Sequence, residues 1–143
     1  MWLYCGIGTI GIFASKYVAK VYGIEIVKDA IENAKENAKI NNVQNANFIV
    51  GDVEEAFDEL LMKDIKPNVI FVDPPRKGLD NKTVDNLCNI KADRLIYISC
   101  NPATLARDLQ KLEDVYEIKE ITPIDNFCYS AHVECVAVLN IKD

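Results

Sequence analysis

Five times in succession a short run of β-branched and apolar residues is followed by a stretch of helical periodicity, and this alternation leaves few folds open. The strand-like runs are residues 2–5, 21–26, 47–50, 68–72 and 94–99, and the helical stretches are 9–20, 28–41, 53–62, 83–90 and 102–112. The stretch 28–41 is the clearest helix, because Val27, Ile31, Ala34 and Ala38 share one face while Glu32, Lys35, Glu36 and Lys39 lie elsewhere. Residues 68–72 read Asn-Val-Ile-Phe-Val, the nearly unbroken apolar run of a strand covered on both faces. After residue 112 the rhythm changes. Residues 116–124 and 132–141 are two strand patterns with no helical pattern between them, which predicts antiparallel neighbours. The expectation is one α/β domain over residues 1–143, Rossmann-like and doubly wound. Its seven-stranded sheet is mostly parallel, with an antiparallel C-terminal strand pair. A first strand should hold about five or six residues, yet the glycine turn arrives at Gly6, so the chain reads as one that starts inside a strand and belongs to something longer.

Half of the 143 residues are apolar and 27% are charged, a balance that buries a core rather than solvating a disordered chain. The 22 acidic residues outnumber the 16 basic ones, giving a formal net charge of −6. Phosphate binding needs clustered Lys and Arg, so such a domain is a poor autonomous binder of nucleic acid. A polyanionic substrate would be held by a local patch or by another domain. No apolar run approaches the roughly 20 residues of a membrane span, and no leader pattern is present. The five cysteines (Cys5, Cys88, Cys100, Cys128 and Cys135) are odd in number and form no C-x-x-C. That predicts reduced thiols in a cytosolic protein, with neither a disulfide framework nor a metal site.

Gly6, Gly8 and Gly11 spell G-x-G-x-x-G between the first strand and the first helix. Glycine permits the tight turn and lets a ligand approach the backbone, and the helix N-terminus offers free N–H groups. Glu25 ends the second strand, where an acid receives a ribose hydroxyl pair. Asp52 follows the third strand and Asp73 the fourth, so each acid falls at the carboxyl edge of a parallel strand, where open α/β sheets bind ligands. Nucleotide-like binding is the expectation, although glycines that merely make a turn are the bland alternative.

The fourth strand runs into Asp73-Pro74-Pro75-Arg76. Two prolines fix φ and donate no hydrogen bond, holding a carboxylate and a carbonyl rigidly. That suits group transfer to a planar substrate better than hydride transfer, and so favours S-adenosylmethionine over NAD. Arg76, Lys77 and Arg107 could meet nearby phosphates.

The fifth strand ends in Tyr97-Ile98-Ser99-Cys100-Asn101-Pro102. Asn101 is a good N-cap and Pro102 a good first helical residue, so a helix starts directly after Cys100, and its positive end stabilises a negative sulfur. A thiol at the ligand edge beside a methyl donor has a specific use. Carbon 5 of uracil is too weakly nucleophilic to take a methyl group until a thiolate adds at carbon 6, and a base must then remove the carbon-5 proton. Glu134, just before the apolar run 135–139, is the candidate base, and His132 either assists or caps the strand.

With Leu3-Tyr4-Cys5-Gly6-Ile7-Gly8-Thr9, Gly23-Ile24-Glu25, Gly51-Asp52, the run from Asp73 to Gly78, the run from Ser99 to Leu109 and His132-Val133-Glu134-Cys135-Val136 assembled, the chain resembles the RNA uracil-5-methyltransferases, the enzymes that make 5-methyluridine in tRNA and large-subunit rRNA. The resemblance covers nearly the whole chain and implies the class I S-adenosylmethionine-dependent methyltransferase fold. It implies that Cys100 is the nucleophile and Glu134 the base. It also implies that Tyr4, Thr9, Glu25, Asp52 and Asp73 line the cofactor pocket beside Gly6 and Gly8, with Asp73 and Arg76 meeting the substrate. RNA, the implied partner, would be held through domains upstream of this chain, some members carrying an iron–sulfur cluster there. Three departures stand out. Trp2 occupies a place where the family usually has an acid, the upstream strand and its cofactor-contacting glutamine are missing, and Asn126-Phe127-Cys128-Tyr129-Ser130 differs from the family's usual loop. Two alternatives are an exocyclic-amine methyltransferase, which needs no thiol, and a non-catalytic interaction module.

Overall fold

The computed structural model describes residues 1–125 and 133–142, apart from the side chain of Leu61. Internal contacts divide the chain into two units, Met1–Ile65 and Lys66–Asp143.

The first unit contains β1 (Trp2–Leu3), α1 (Thr9–Ala14) with a 3₁₀ turn at Ser15–Tyr17, β2 (Val21–Glu25), α2 (Lys28–Ile40), β3 (Ala46–Val50) and α3 (Val53–Met62). Its three strands are parallel in the order β3-β2-β1, with Gly23 opposite both Trp2 and Phe48. Leu3, Ile24, Ile31, Ala34 and Phe57 form the centre of its core, and α2 buries the stripe its periodicity predicts. Two elements of this unit are shorter than the sequence predicts by more than one residue. The first strand stops at Leu3 because Tyr4 turns to φ +62°. The helix expected over 9–20 ends at Ala14, where Ser15 Oγ donates back to the Ile12 carbonyl at 2.6 Å. Asn45 Nδ2 then donates to the Ser15 and Val18 carbonyls at 2.8 and 2.9 Å, taking acceptors that a continuing helix would have used.

The second unit contains β4 (Val69–Val72), α4 (Asn81–Ile90), β5 (Arg94–Ser99), α5 (Pro102–Leu112), β6 (Tyr116–Ile124) and β7 (Glu134–Ile141). β4 and β5 are parallel with Val72 opposite Tyr97, while β7 lies antiparallel between β5 and β6. The seven strands are therefore mostly parallel with an antiparallel C-terminal pair, as the change of rhythm after residue 112 predicts. Ile70, Val72, Leu87, Leu95, Tyr97, Leu112 and Leu139 are fully buried. α4 begins two residues earlier than expected because Asp80 caps it, accepting from the Thr83 N–H at 2.7 Å and the Thr83 hydroxyl at 2.9 Å. Among the described residues no helix is long and apolar enough to cross a membrane.

Candidate functional site

In the first unit, the turn from Tyr4 to Thr9 is held by the carboxylate that follows it in the neighbouring strand. Glu25 Oε2 accepts from the Gly6 N–H and Glu25 Oε1 from the Val27 N–H, both at 3.1 Å, so one side chain ties the glycine turn to the start of α2. Each of those oxygens has a second lone pair, which is what a ribose hydroxyl needs. Gly6 has φ +51° and nothing within 4 Å of the position a Cβ would take, so its backbone faces open space. Gly8 is different: a Cβ there would press on Ala34 and Phe48 at 3.0 Å, so this glycine lets the start of α1 pack on α2 and β3. Thr9 is exposed at the first position of α1. Burial, then the Glu25 charge, pushes the Cys5 thiol up to about 12. Asp52, expected to face a cofactor, caps α3: its Oδ1 accepts from the Glu54 N–H at 2.9 Å.

In the second unit, Asp73 leaves β4 and opens the loop to α4. By surface area the residue is exposed, yet crowding around its carboxyl raises its pKa above the ordinary aspartate range, and the Glu134 charge adds to the rise. These two carboxylates therefore sense one another. The rest of the loop is bound to α5. The Arg76 carbonyl accepts from Asn101 Nδ2 and from Thr104 Oγ1, each at 3.2 Å. Arg107 Nη2 donates to the Lys77 carbonyl at 2.9 Å and to the Leu79 carbonyl at 3.2 Å. Fully buried Asp108 accepts from the Leu79 N–H at 2.8 Å, from the Tyr97 hydroxyl at 2.7 Å, and from Arg107 Nε and Nη2 at 2.8 and 2.7 Å. Gly78 lies inside this knot with φ +76°, and a Cβ there would fall 2.5 Å from Asp108 Oδ2 and 2.6 Å from Arg107 Nη2.

Cys100 is a half-buried free thiol at the end of β5, directly before the N-cap of α5. Asn101 Oδ1 accepts from the Ala103 N–H at 3.1 Å, so the cap forms as the sequence predicts. The register ends with Ser99 opposite Cys135, both buried, so Cys100 and Glu134 are the residues directly beyond Ser99 and directly before Cys135 at that end of the ladder. Side chains alternate along a strand, and directly opposed residues share a face. Cys100 and Glu134, both half-buried, therefore come to the same end of β5 and β7.

Among the expected site residues of the second unit, Cys100 and Glu134 lie at the same end of neighbouring strands, and Asp73 is within reach of the Glu134 charge. Arg76 is exposed. Arg107, expected as a phosphate contact, has its Nε and Nη2 engaged by Asp108 and the loop carbonyls. His132 and Cys128 lie outside the described residues. Sequence reasoning missed Asp108 and Tyr97. The signal was present, since Asp108 sits with Leu105, Leu109 and Leu112 on the buried stripe of α5, where an unpartnered carboxylate is costly. Among the described residues no cluster of three or more His, Cys, Asp or Glu could hold a metal ion.

The sequence profile of the family described as tRNA (Uracil-5-)-methyltransferase matches residues 1–142. An uncharacterised RNA methyltransferase of Enterococcus faecalis is 49% identical over 137 residues, covering 95% of this chain and 30% of the relative. A Staphylococcus aureus protein described in the same words is 46% identical over 139 residues, covering 97% and 31%. The chain thus spans about a third of the length of the curated relatives it matches. Among solved structures, the tRNA (uracil-54, C5)-methyltransferase of Pyrococcus abyssi in complex with S-adenosyl-L-homocysteine superposes with a TM-score of 0.84 at 40% identity, over 96% of this chain and 33% of that one. An rRNA methylase of Streptococcus thermophilus, 14% identical with a TM-score of 0.75, shares the fold.

Proposed function

Because the chain belongs to the tRNA (uracil-5-)-methyltransferase family, we propose that it is the catalytic part of an RNA methyltransferase that moves a methyl group from S-adenosylmethionine to carbon 5 of a uridine in tRNA or rRNA. What supports this reading is that β5 and β7 pair up to Ser99 and Cys135, the residues next to Cys100 and Glu134, and that the Glu134 charge bears on Asp73. The open backbone at Gly6 and the paired oxygens of Glu25 fit the cofactor, with Tyr4, Gly8, Thr9 and Asp52 as further contacts in the first unit. When bound, S-adenosylmethionine supplies an electrophilic methyl group.

In this reading the Cys100 thiolate forms a bond to carbon 6, and the ring electrons move to make carbon 5 nucleophilic. Once carbon 5 carries the methyl group, Glu134 takes the carbon-5 proton. The electron pair released re-forms the ring double bond and expels the Cys100 sulfur as thiolate. Asp73 orients the base, and Arg76 is placed to meet a phosphate. The uridine must be splayed from its stack, at about a few kcal/mol. An acidic chain contributes little of that binding, so RNA would be held largely through parts of the protein that the relatives carry beyond the matched length.

The test is an adduct with RNA containing 5-fluorouridine, which has no carbon-5 proton to lose. The full-length protein should form a denaturation-stable adduct with it, and Cys100→Ala should form none. Glu134→Gln should accumulate an adduct with ordinary uridine RNA, since release needs the proton removed. Full turnover by Cys100→Ala would overturn the covalent route and favour the exocyclic-amine chemistry that Asp73-Pro74-Pro75 also suits.

A further inference from the structure

α5 does two jobs in the second unit. Its N-terminus follows Cys100, and its next two turns hold the loop that begins at Asp73. Three carbonyls of that loop, those of Arg76, Lys77 and Leu79, accept hydrogen bonds from Asn101, Thr104 and Arg107. The Leu79 N–H is taken by Asp108, and Gly78 N–H closes the turn on the Pro75 carbonyl at 2.9 Å. Asp108 is in turn fixed from β5 by the Tyr97 hydroxyl, three residues before Cys100 in the chain.

An ordinary β-to-α loop needs none of this. Capping of α4 is already supplied by Asp80, and α5 is capped by Asn101. Asp108 is a fully buried carboxylate, and removing such a group from water is costly unless it is paired and hydrogen-bonded. Its partners come from the loop that begins at Asp73, the strand that leads to Cys100 and the helix that follows it. A buried charge that accepts one bond from the loop and one from the strand fixes their spacing more tightly than apolar packing does, because each bond has a direction as well as a distance.

We infer that Arg107 and Asp108, with Thr104, are positioning residues that lock the Asp73–Gly78 loop to the helix that follows Cys100, so that the sulfur and the Asp73 carboxylate meet the same ring at a fixed spacing. This rests on the reading of Cys100 as nucleophile. In this role the three act through the loop and not on the reacting atoms. Their effect falls on turnover, because misplacing a reacting group by about 1 Å can cost roughly 100-fold in rate.

The experiment uses the full-length protein and methylation of an unmodified RNA substrate. Arg107→Lys keeps the charge beside Asp108 but loses the planar fork that reaches the Lys77 and Leu79 carbonyls. Thr104→Val keeps shape and loses the bond to the Arg76 carbonyl. Arg107 is 46% exposed at its side chain and Thr104 is half-buried, so both variants should fold. Each should lower kcat by about 10- to 100-fold while KM for S-adenosylmethionine and for RNA stays within about threefold. The 5-fluorouridine adduct should form more slowly in proportion. Wild-type kcat in both folded variants would overturn the inference, as would a loss confined to KM. Cys100→Ala run in parallel separates the two levels. If it is inactive while Arg107→Lys and Thr104→Val turn over normally, the positioning role fails and the nucleophile stands; if it turns over fully, both fail.

Discussion

Gly6 and Gly78 both hold a positive φ, and only one of them is also crowded. At Gly6 a methyl group would meet empty space, so Gly6→Ala bears only the conformational penalty of about 1 kcal/mol. At Gly78 the same methyl would sit on a buried carboxylate and a guanidinium. Gly78→Ala should therefore cost about 3 kcal/mol, a drop in Tm of about 10 °C by thermal unfolding. The open space above Gly6 should matter for ligand instead. Gly6→Ala should leave Tm within a few degrees and weaken S-adenosylhomocysteine binding about tenfold or more in a calorimetric titration. Equal effects of the two variants on stability would show that the space around them does not differ as described. At this scale the sequence was a mixed guide. The caps Asn101 and Pro102 were legible because capping is a local rule, and Glu25 because strand ends are predictable. The role of Arg107 was not, since a cation at position 107 looks the same whether its partner is a phosphate or a carbonyl thirty residues earlier.

Most helices and strands form where their periodicity places them, and the exceptions have tertiary causes. α1 is the clearest case: nothing between residues 9 and 20 forbids a helix, and the residue that ends it is Asn45, which lies in another part of the chain. Its amide satisfies carbonyls at Ser15 and Val18 that would otherwise lack a partner. Asn45→Ala should cost about 1–2 kcal/mol in stability. Backbone amides of residues 15–20 should then exchange with solvent faster than in the parent protein, while those of α2 remain protected. Uniform acceleration across the first unit would assign Asn45 a general packing role in place of a local one. The early start of α4 was, by contrast, a local signal: Asp80 with Thr83 three residues on is an N-cap pattern in plain view.

Across the whole molecule, burial controls how stability responds to alkali. The Cys5 thiol in the first unit rises from about 9 to about 12, chiefly by burial with the Glu25 charge second. The Tyr116 hydroxyl in the second rises from about 10 to about 12, again chiefly by burial. A raised pKa means that the folded state holds its proton where the unfolded chain has released it. This contribution to stability is complete below about pH 9 and is lost as pH rises towards about 12. Urea titrations should show stability falling as pH rises beyond about 9. Cys5→Ala and Tyr116→Phe should each make that fall shallower, whatever they do to stability at neutral pH. An unchanged slope in both would remove these groups as its cause.

The knot around Gly78 also bears on how such a protein can be altered or can diverge. Residues 73–79 and 101–108 are separated in the chain, yet each supplies the donors or acceptors the other lacks. A chimera that imports one segment from a homologue with different residues at this joint would strand a carbonyl or crowd a glycine, whereas importing both would carry the complete joint across. The two stretches behave as a single heritable cassette, and grafting experiments should treat them as one.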